Sequence, residues 1–214
     1  LNAPVASVST KAGVDAWDAS QKLYIFGYDR KVDDFTNEAF IHNVMVNAPG
    51  TGVETEGNIT PMHEVNSVPE PFYYASNNTT YDFYGYYVDD AADPTTEVVT
   101  GTNGVYIPVE IDGTQDLMLA KANQIEDVKG TDVDPSRAYS AYSARREVKP
   151  VLNFEHQLAR FHFYVVAGSE TTVATGKEVS VKSITINDAN TTANLNIVGA
   201  NRGLADAGTP ADLV

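Results

Sequence analysis

Four histidines, at 42, 63, 156 and 162, are the residues best suited to metal or proton chemistry in this sequence. His156 and His162 are six apart, so on one strand they point the same way but stand ~20 Å apart. That spacing does not let them share a metal unless the strand bends sharply between them. The reading taken here is a set of half-buried imidazoles hydrogen-bonded to backbone. Acidic pairs occur at Asp33-Asp34 and Asp89-Asp90, and Asp112 to Asp116 resembles half a calcium loop. Neighbouring strand residues point to opposite faces, so adjacent carboxylates are not by themselves a general acid/base pair. No stretch has the full calcium loop, with Gly at its sixth and Glu at its twelfth position. G-x-S-x-G, P-loop, H-E-x-x-H and G-x-G-x-x-G motifs are all missing. With 0 cysteines, thiolate nucleophiles, thiolate metal sites and disulfides are excluded.

The aromatic density between Pro71 and Tyr87 allows a different chemistry. Phe72, Tyr73, Tyr74, Tyr81, Phe83, Tyr84, Tyr86 and Tyr87 would stack on sugar rings if exposed. Tyr and Phe also fill a pleated surface well, with the phenol reaching the rim, and core packing is the preferred reading. A surface glycan binder built on this cluster stands as the alternative.

The elements that must position these residues read mostly as strands. Lys22–Tyr28 alternates Leu23, Ile25 and Gly27 against Tyr24, Phe26 and Tyr28. Ala39–Asn47 is a second strand, with Phe40, Val44 and Val46 facing a core, broken by the Pro49-Gly50 region. Phe72–Ala75 and Tyr81–Val88 flank a turn and read as a hairpin, and Asp89–Asn103 as a polar loop. Val105–Ile111 alternates, but Pro108 places it at an edge. Leu117–Ile125 reads as strand or short helix. Pro135–Arg145 reads as one or two helical turns with Asp134 at the N-terminus. Val151–Ala167 is the longest expected strand, with a bulge near Leu158-Ala159 or burial on both sides. Val179–Asn187 and Ala193–Val198 complete the set, and the pattern predicts an all-β sandwich with one or two short helices.

The chain has 214 residues, enough for one domain with a sizeable core. Fourteen basic against 29 acidic residues give a net charge of −15, which disfavours nucleic acid and anionic membrane surfaces as partners. No run spans a bilayer. The chain opens at Leu1 with no apolar leader and closes at Val214 without a stop signal. It is therefore expected to be a processed form of a protein that continues past Val214.

Four segments resemble the fimbrillin-like pilins of Bacteroidales, the Mfa-like and FimA-like group that builds type V pili. Leu152 to Arg160 (LNFEHQLAR) is similar to that family's F-x-H-x-L-A-[RK] strand, through Phe154, His156, Leu158, Ala159 and Arg160. Asp116, Leu117 and Met118 open a segment similar to D-L-M-x-A. Tyr81 to Tyr87 resembles D-F-x-A-Y-Y, with Gly85 where Ala is common. Thr10-Lys11-Ala12-Gly13 resembles the T-R-A-G start, with Lys11 where Arg is usually cut. The resemblance implies a transthyretin-like, Greek-key β-sandwich, a pilin N-terminal domain over residues 12–214, without the family's second sandwich. It implies export as a lipoprotein to the outer membrane and a removable segment over residues 1–11, with Lys11 as the candidate processing site. It further implies strand addition between subunits, cell adhesion through host or bacterial surface ligands, and neither catalysis nor a cofactor. Fold maintenance is the role expected of His156, Leu158 and Arg160.

Overall fold

The computed structural model describes residues 6–10, 17–36, 39–54, 56–89, 98–113, 115–159, 161, 163–164, 181–206 and 210–213. In chain order the strands are β1 (Ala6–Thr10), β2 (Trp17–Asp18), β3 (Lys22–Asp29), β4 (Ile41–Asn47), β5 (Thr51–Glu54), β6 (Glu56–Ile59), β7 (Met62–Val65) and β8 (Val68–Pro71). They continue as β9 (Tyr81–Val88), β10 (Val99–Gly101), β11 (Gly104–Glu110), β12 (Leu117–Lys121), β13 (Val151–His156), β14 (Ile186–Ala189), β15 (Thr192–Gly199), β16 (Gly203–Asp206) and β17 (Ala211–Leu213). Two helical turns, α1 (Gln124–Asp127) and α2 (Ala141–Ala144), and a 3-10 turn at Pro135–Arg137 lie between β12 and β13.

The strand β3 shows how the sequence dictates the layering. Its residues from Leu23 to Tyr28 are all buried, so both of its faces pack. Leu23 and Ile25 enter one core, while Tyr24, Phe26 and Tyr28 enter another. The strand lies second from the edge, between β4 and β9, in a seven-stranded sheet ordered β4-β3-β9-β12-β13-β1-β6. On one face of that sheet Tyr24, Phe26, Tyr28, Tyr84, Tyr86 and Leu119 meet Val105, Ile107, Leu195, Ile197 and Val198 of a four-stranded sheet, β10-β11-β15-β16. This is the sandwich, and the all-β class expected from the sequence holds. The opposite face is covered by irregular chain: Trp17, Ala48, Tyr74, Val128, Val133, Ala138, Tyr139 and Val148 close over Phe83, Tyr87, Met118, Leu152 and Phe154.

The covering layer is pinned by polar contacts. Asn123 caps α1 and Asp134 caps the 3-10 turn, the latter as the sequence predicts. Ser140 and Ser143 form a reciprocal capping pair on α2. Arg30, at the end of β3, donates to the carbonyls of Ser136 (3.2 Å), Ala138 (3.2 Å) and Tyr81 (3.1 Å) and to Asp82 Oδ1 (3.0 Å). Tyr139 holds a left-handed φ of 57°, a strained conformation for an aromatic residue. Three contacts fix it: its carbonyl accepts from Tyr81 N, its ring meets Phe83 edge-on, and its hydroxyl donates to Asp127 Oδ2.

Asp127 gives a pH-dependent expectation. Its Oδ2 also accepts from Val151 N at 2.8 Å, which joins α1 to the start of β13. Burial raises its pKa, although both hydrogen bonds act to lower it. A carboxyl with a raised folded pKa is best tolerated protonated, so its contribution declines as pH rises from below 3.8 through the folded value. In Asp127→Asn the amide oxygen can accept both hydrogen bonds. Urea denaturation of this variant at several pH values should show that decline removed, with stability at pH 7 within about 1 kcal/mol of the parent or above it. A slope unchanged by the substitution contradicts the assignment to Asp127.

Several expected elements are corrected. Phe72–Ala75 is not a strand, and no hairpin forms with β9, because both edges of β9 are taken by β3 and β12. Asp89–Asn103 is not all loop, since Val99–Gly101 pairs with β11. Strand β11 has neighbours on both sides at first, but β10 ends opposite Tyr106. Pro108 therefore sits where β15 is the only described partner, which is how the sheet tolerates it. Leu117–Ile125 is both things in turn, β12 and then the start of α1. The long strand expected to reach Ala167 stops at His156. Gln157 N donates to Leu117 O at 2.7 Å and ends the ladder, after which Phe161, Phe163 and Tyr164 lie exposed. Residues 165–167 lie outside the described residues. Of Val179–Asn187 only Ile186 and Asn187 are in a strand; residues 181–185 are irregular and 179–180 lie outside the described ones.

Candidate functional site

The segments singled out in the sequence converge on β9, β12 and β13, and β1 lies directly beside them. Strand β12 carries Leu117, Met118, Leu119 and Ala120, all buried. Met118 pairs with His156 and Leu119 with Glu155 on β13. On the other edge Met118 pairs with Tyr87 and Ala120 with Gly85 on β9. Asp116, one residue before β12, ties the ends of all three strands. Its carbonyl accepts from Asp89 N (2.8 Å) and its Oδ1 lies 2.7 Å from His156 Nδ1. A carboxylate only accepts, so the imidazole proton is on Nδ1 in this contact. Asp116 and His156 thus form a half-buried pair that joins β12 to β13 at the sheet's end.

Phe154 is the largest anchor of the junction. Its ring is fully buried and meets Trp17 edge-on at 5.4 Å. A Cβ built on Gly85 would stand 2.7 Å from Phe154 Cζ and 3.4 Å from Leu152 Cδ1. Gly85 is therefore the space that the Phe154 ring occupies, which accounts for glycine at this position. Leu158 is half-buried and Ala159 exposed beyond the end of β13, while Arg160, His162 and Lys11 lie outside the described residues.

Beside β13 runs β1. It pairs parallel with β13, Ser7 opposite Val151 through Thr10 opposite Phe154. It pairs antiparallel with β6, Ala6 opposite Ile59 through Ser9 opposite Glu56. Strand β1 is therefore an interior strand of the seven-stranded sheet, with main-chain ladders on both edges, and without it β13 and β6 would not touch.

A family model described as fimbrillin-like matches residues 10–210. The chain belongs to the fimbrillin-like family. It is thereby a member of a family of structural pilins, the building blocks of cell-surface fimbriae. No curated protein and no solved structure matches the chain significantly. Three of the four fimbrillin-like segments named in the sequence thus fall on the interlocking strands β9, β12 and β13, and of the fourth only Thr10, at the end of β1, lies among the described residues.

Sequence reasoning set the aromatic segment apart, and the fimbrillin fold explains it. Tyr81, Phe83 and Tyr87 fill one core, Tyr84 and Tyr86 the other, and Tyr74 packs with the first. Phe72 is half-buried, and among the eight rings only Tyr73 is exposed, at 42%. Burial pushes Tyr84 and Tyr87 up to about 12 and Tyr74 higher still. These phenols stay protonated throughout the physiological range, as core residues with a polar tip do. The rings do not form a sugar-stacking platform. Among the described residues no three His, Asp or Glu side chains come together to hold a metal, and the Asp34 carboxylate accepts from Thr36 within its own turn. No helix of the described residues is long and apolar enough to cross a membrane. The residue that the sequence gave no reason to notice is Arg30, whose clamp on the covering layer joins positions about a hundred residues apart.

Proposed function

We propose that this chain is a fimbrial subunit assembled by strand exchange at the outer cell surface. In this reading it is exported as a lipoprotein and cleaved after Lys11. Strand β1 then leaves the slot between β13 and β6, and a strand from a neighbouring subunit takes its place. The observation that carries the proposal is the position of β1 inside the sheet rather than at its edge. Removing it exposes two rows of unpaired backbone groups, a strong template for an incoming strand. The composition of β1 supports release. Ala6-Ser7-Val8-Ser9-Thr10 has only two apolar residues, so a more apolar strand burying one or two extra large side chains gains roughly 2–5 kcal/mol over it. Such a fibre serves cell adhesion, and its partners are copies of itself or related subunits.

Electron microscopy of the full-length protein before and after cleavage at Lys11 tests this. Filaments are expected only after cleavage. A chain that stays monomeric with residues 1–11 demonstrably gone overturns the strand-exchange reading, and leaves a capping subunit or a monomeric surface protein.

A further inference from the structure

Beside the two packed cores the sandwich has a polar cavity of about 300 Å³, lined by Leu119, Lys121, Asn123, Asn153, Glu155, Gln157, Arg202 and Gly203. It lies on the face of β12 and β13 that carries Leu119, the face turned toward the four-stranded sheet, with Arg202 and Gly203 at the start of β16 as its far wall. The volume is at the small end of the range for ligand pockets, the size of one or two sugar rings.

Its charge is what separates it from an incidental groove. In a chain of net charge −15, two cations and one carboxylate face this cavity. The Arg202 guanidinium is half-buried, and among the described residues its one hydrogen bond is from Nε to Ile197 O at 2.9 Å. Burial lowers its pKa, and Tyr84 and Glu155 act through space to restore it. A guanidinium kept partly out of water without a contacting carboxylate is costly to the fold. Lys121 Nζ lies 3.9 Å from Asp82 Oδ2, a long ion pair. Both cations lie against the buried Tyr84 ring, at 5.2 Å and 5.7 Å from its centroid, and both line the cavity.

We infer that this cavity binds a carboxylate-bearing sugar, its carboxylate between Lys121 and Arg202 and its hydroxyls on the side-chain amides and Glu155. The lining selects that class. Two cations against Glu155 leave one net positive charge, which suits a monoanion, whereas a phosphate dianion meets Glu155 as a second like charge. Amides that both donate and accept match hydroxyl groups, which do the same. No exposed ring is available in the cavity for stacking, so the carboxylate supplies the affinity and a neutral sugar lacks it. The site is independent of strand exchange, because none of its residues belongs to β1 or β6.

The test is two-dimensional NMR titration of the uncleaved chain with glucuronic acid, with glucose and with inorganic phosphate. Glucuronic acid should shift amide signals at Lys121, Asn123, Gln157 and Gly203, with at least about tenfold weaker effects from glucose and phosphate. Arg202→Gln and, as a variant at a more exposed position, Lys121→Gln should each weaken glucuronic acid binding by about tenfold while the rest of the spectrum is retained. No shift at these residues, or equal binding of glucose, overturns the proposal. Phosphate binding as tightly as glucuronic acid also overturns it, and leaves an unselective anion site. Filament formation is not the readout, so failure here leaves the pilin reading untouched, and the reverse also holds.

Discussion

Phe154→Ala should lower stability by about 4 kcal/mol, with the melting temperature falling by roughly 8–16 °C. The ring is wholly excluded from solvent, its edge meets Trp17, and its tip lies over the bare backbone of Gly85. Deleting it removes the transfer energy of a benzyl group. It also opens a cavity that cannot collapse, since β13 is fixed by ladders to β12 and β1 on its two sides. The same contact predicts the reverse experiment. Gly85→Ala drives a methyl group to 2.7 Å from Phe154 Cζ and should cost about 1–3 kcal/mol by overpacking. In a Phe154→Leu background that cost should shrink by about 1 kcal/mol, because the offending atom is gone. Thermal denaturation followed by circular dichroism measures all four members of the cycle. Equal Gly85→Ala costs in the two backgrounds contradict the close approach as the reason for glycine.

Arg30→Met carries the second largest expected effect, about 3 kcal/mol. The methionine keeps the apolar stem and removes the charge and every hydrogen bond. Four carbonyls, of Tyr81, Pro135, Ser136 and Ala138, lose this donor, and Asp82, 16% exposed, loses its closest cation. The remaining Lys121 contact, at 3.9 Å, is too long to replace it. Leaving one member of a largely buried pair uncompensated costs about 3–5 kcal/mol. The lower end applies here because Gln124 still donates to Asp82. Arg30→Lys should recover less than half of the loss, since one ammonium cannot reach the carbonyls of β9 and of the 3-10 turn together as a planar fork does. The exposed pair Lys129–Glu126 is the control: its removal should change stability by no more than about 0.5 kcal/mol. Urea denaturation of the three variants decides the point. A Lys variant as stable as the parent shows that charge alone, and not the fork, holds the covering layer.

The strand β3 was legible from the alternation of Leu23, Ile25 and Gly27 against Tyr24, Phe26 and Tyr28, whereas the burial of both its faces shows only in the structure. The capping role of Asp134 was legible because Pro135-Ser136 follows it. What misled was the same signal in a different context. Phe72 to Tyr74 has strand composition, yet the chain there turns Tyr74 into the core, and nothing local reveals that β9 already has two partners. Phe161 and Phe163 alternate like a buried strand and are 69% and 55% exposed. The family segments were each legible as text, but their meaning lay in long-range registers. Asp116 reaches His156 across 40 residues. Gly85 answers to Phe154 on a strand it does not touch as a neighbour. Arg202, alone in a stretch of small residues, had no local pattern to mark it.

The direction of β1 bears on mechanical strength. A strand parallel to β13 over Ser7–Thr10 and antiparallel to β6 over Ala6–Ser9 is paired on both edges, so a pull along its own axis loads the rungs of both ladders together. A pull across one end opens the rungs singly, as a zipper does. A subunit joined to the next through this slot would therefore resist traction along the fibre in shear, and would yield most readily to a force that levers one end of the strand out of the sheet.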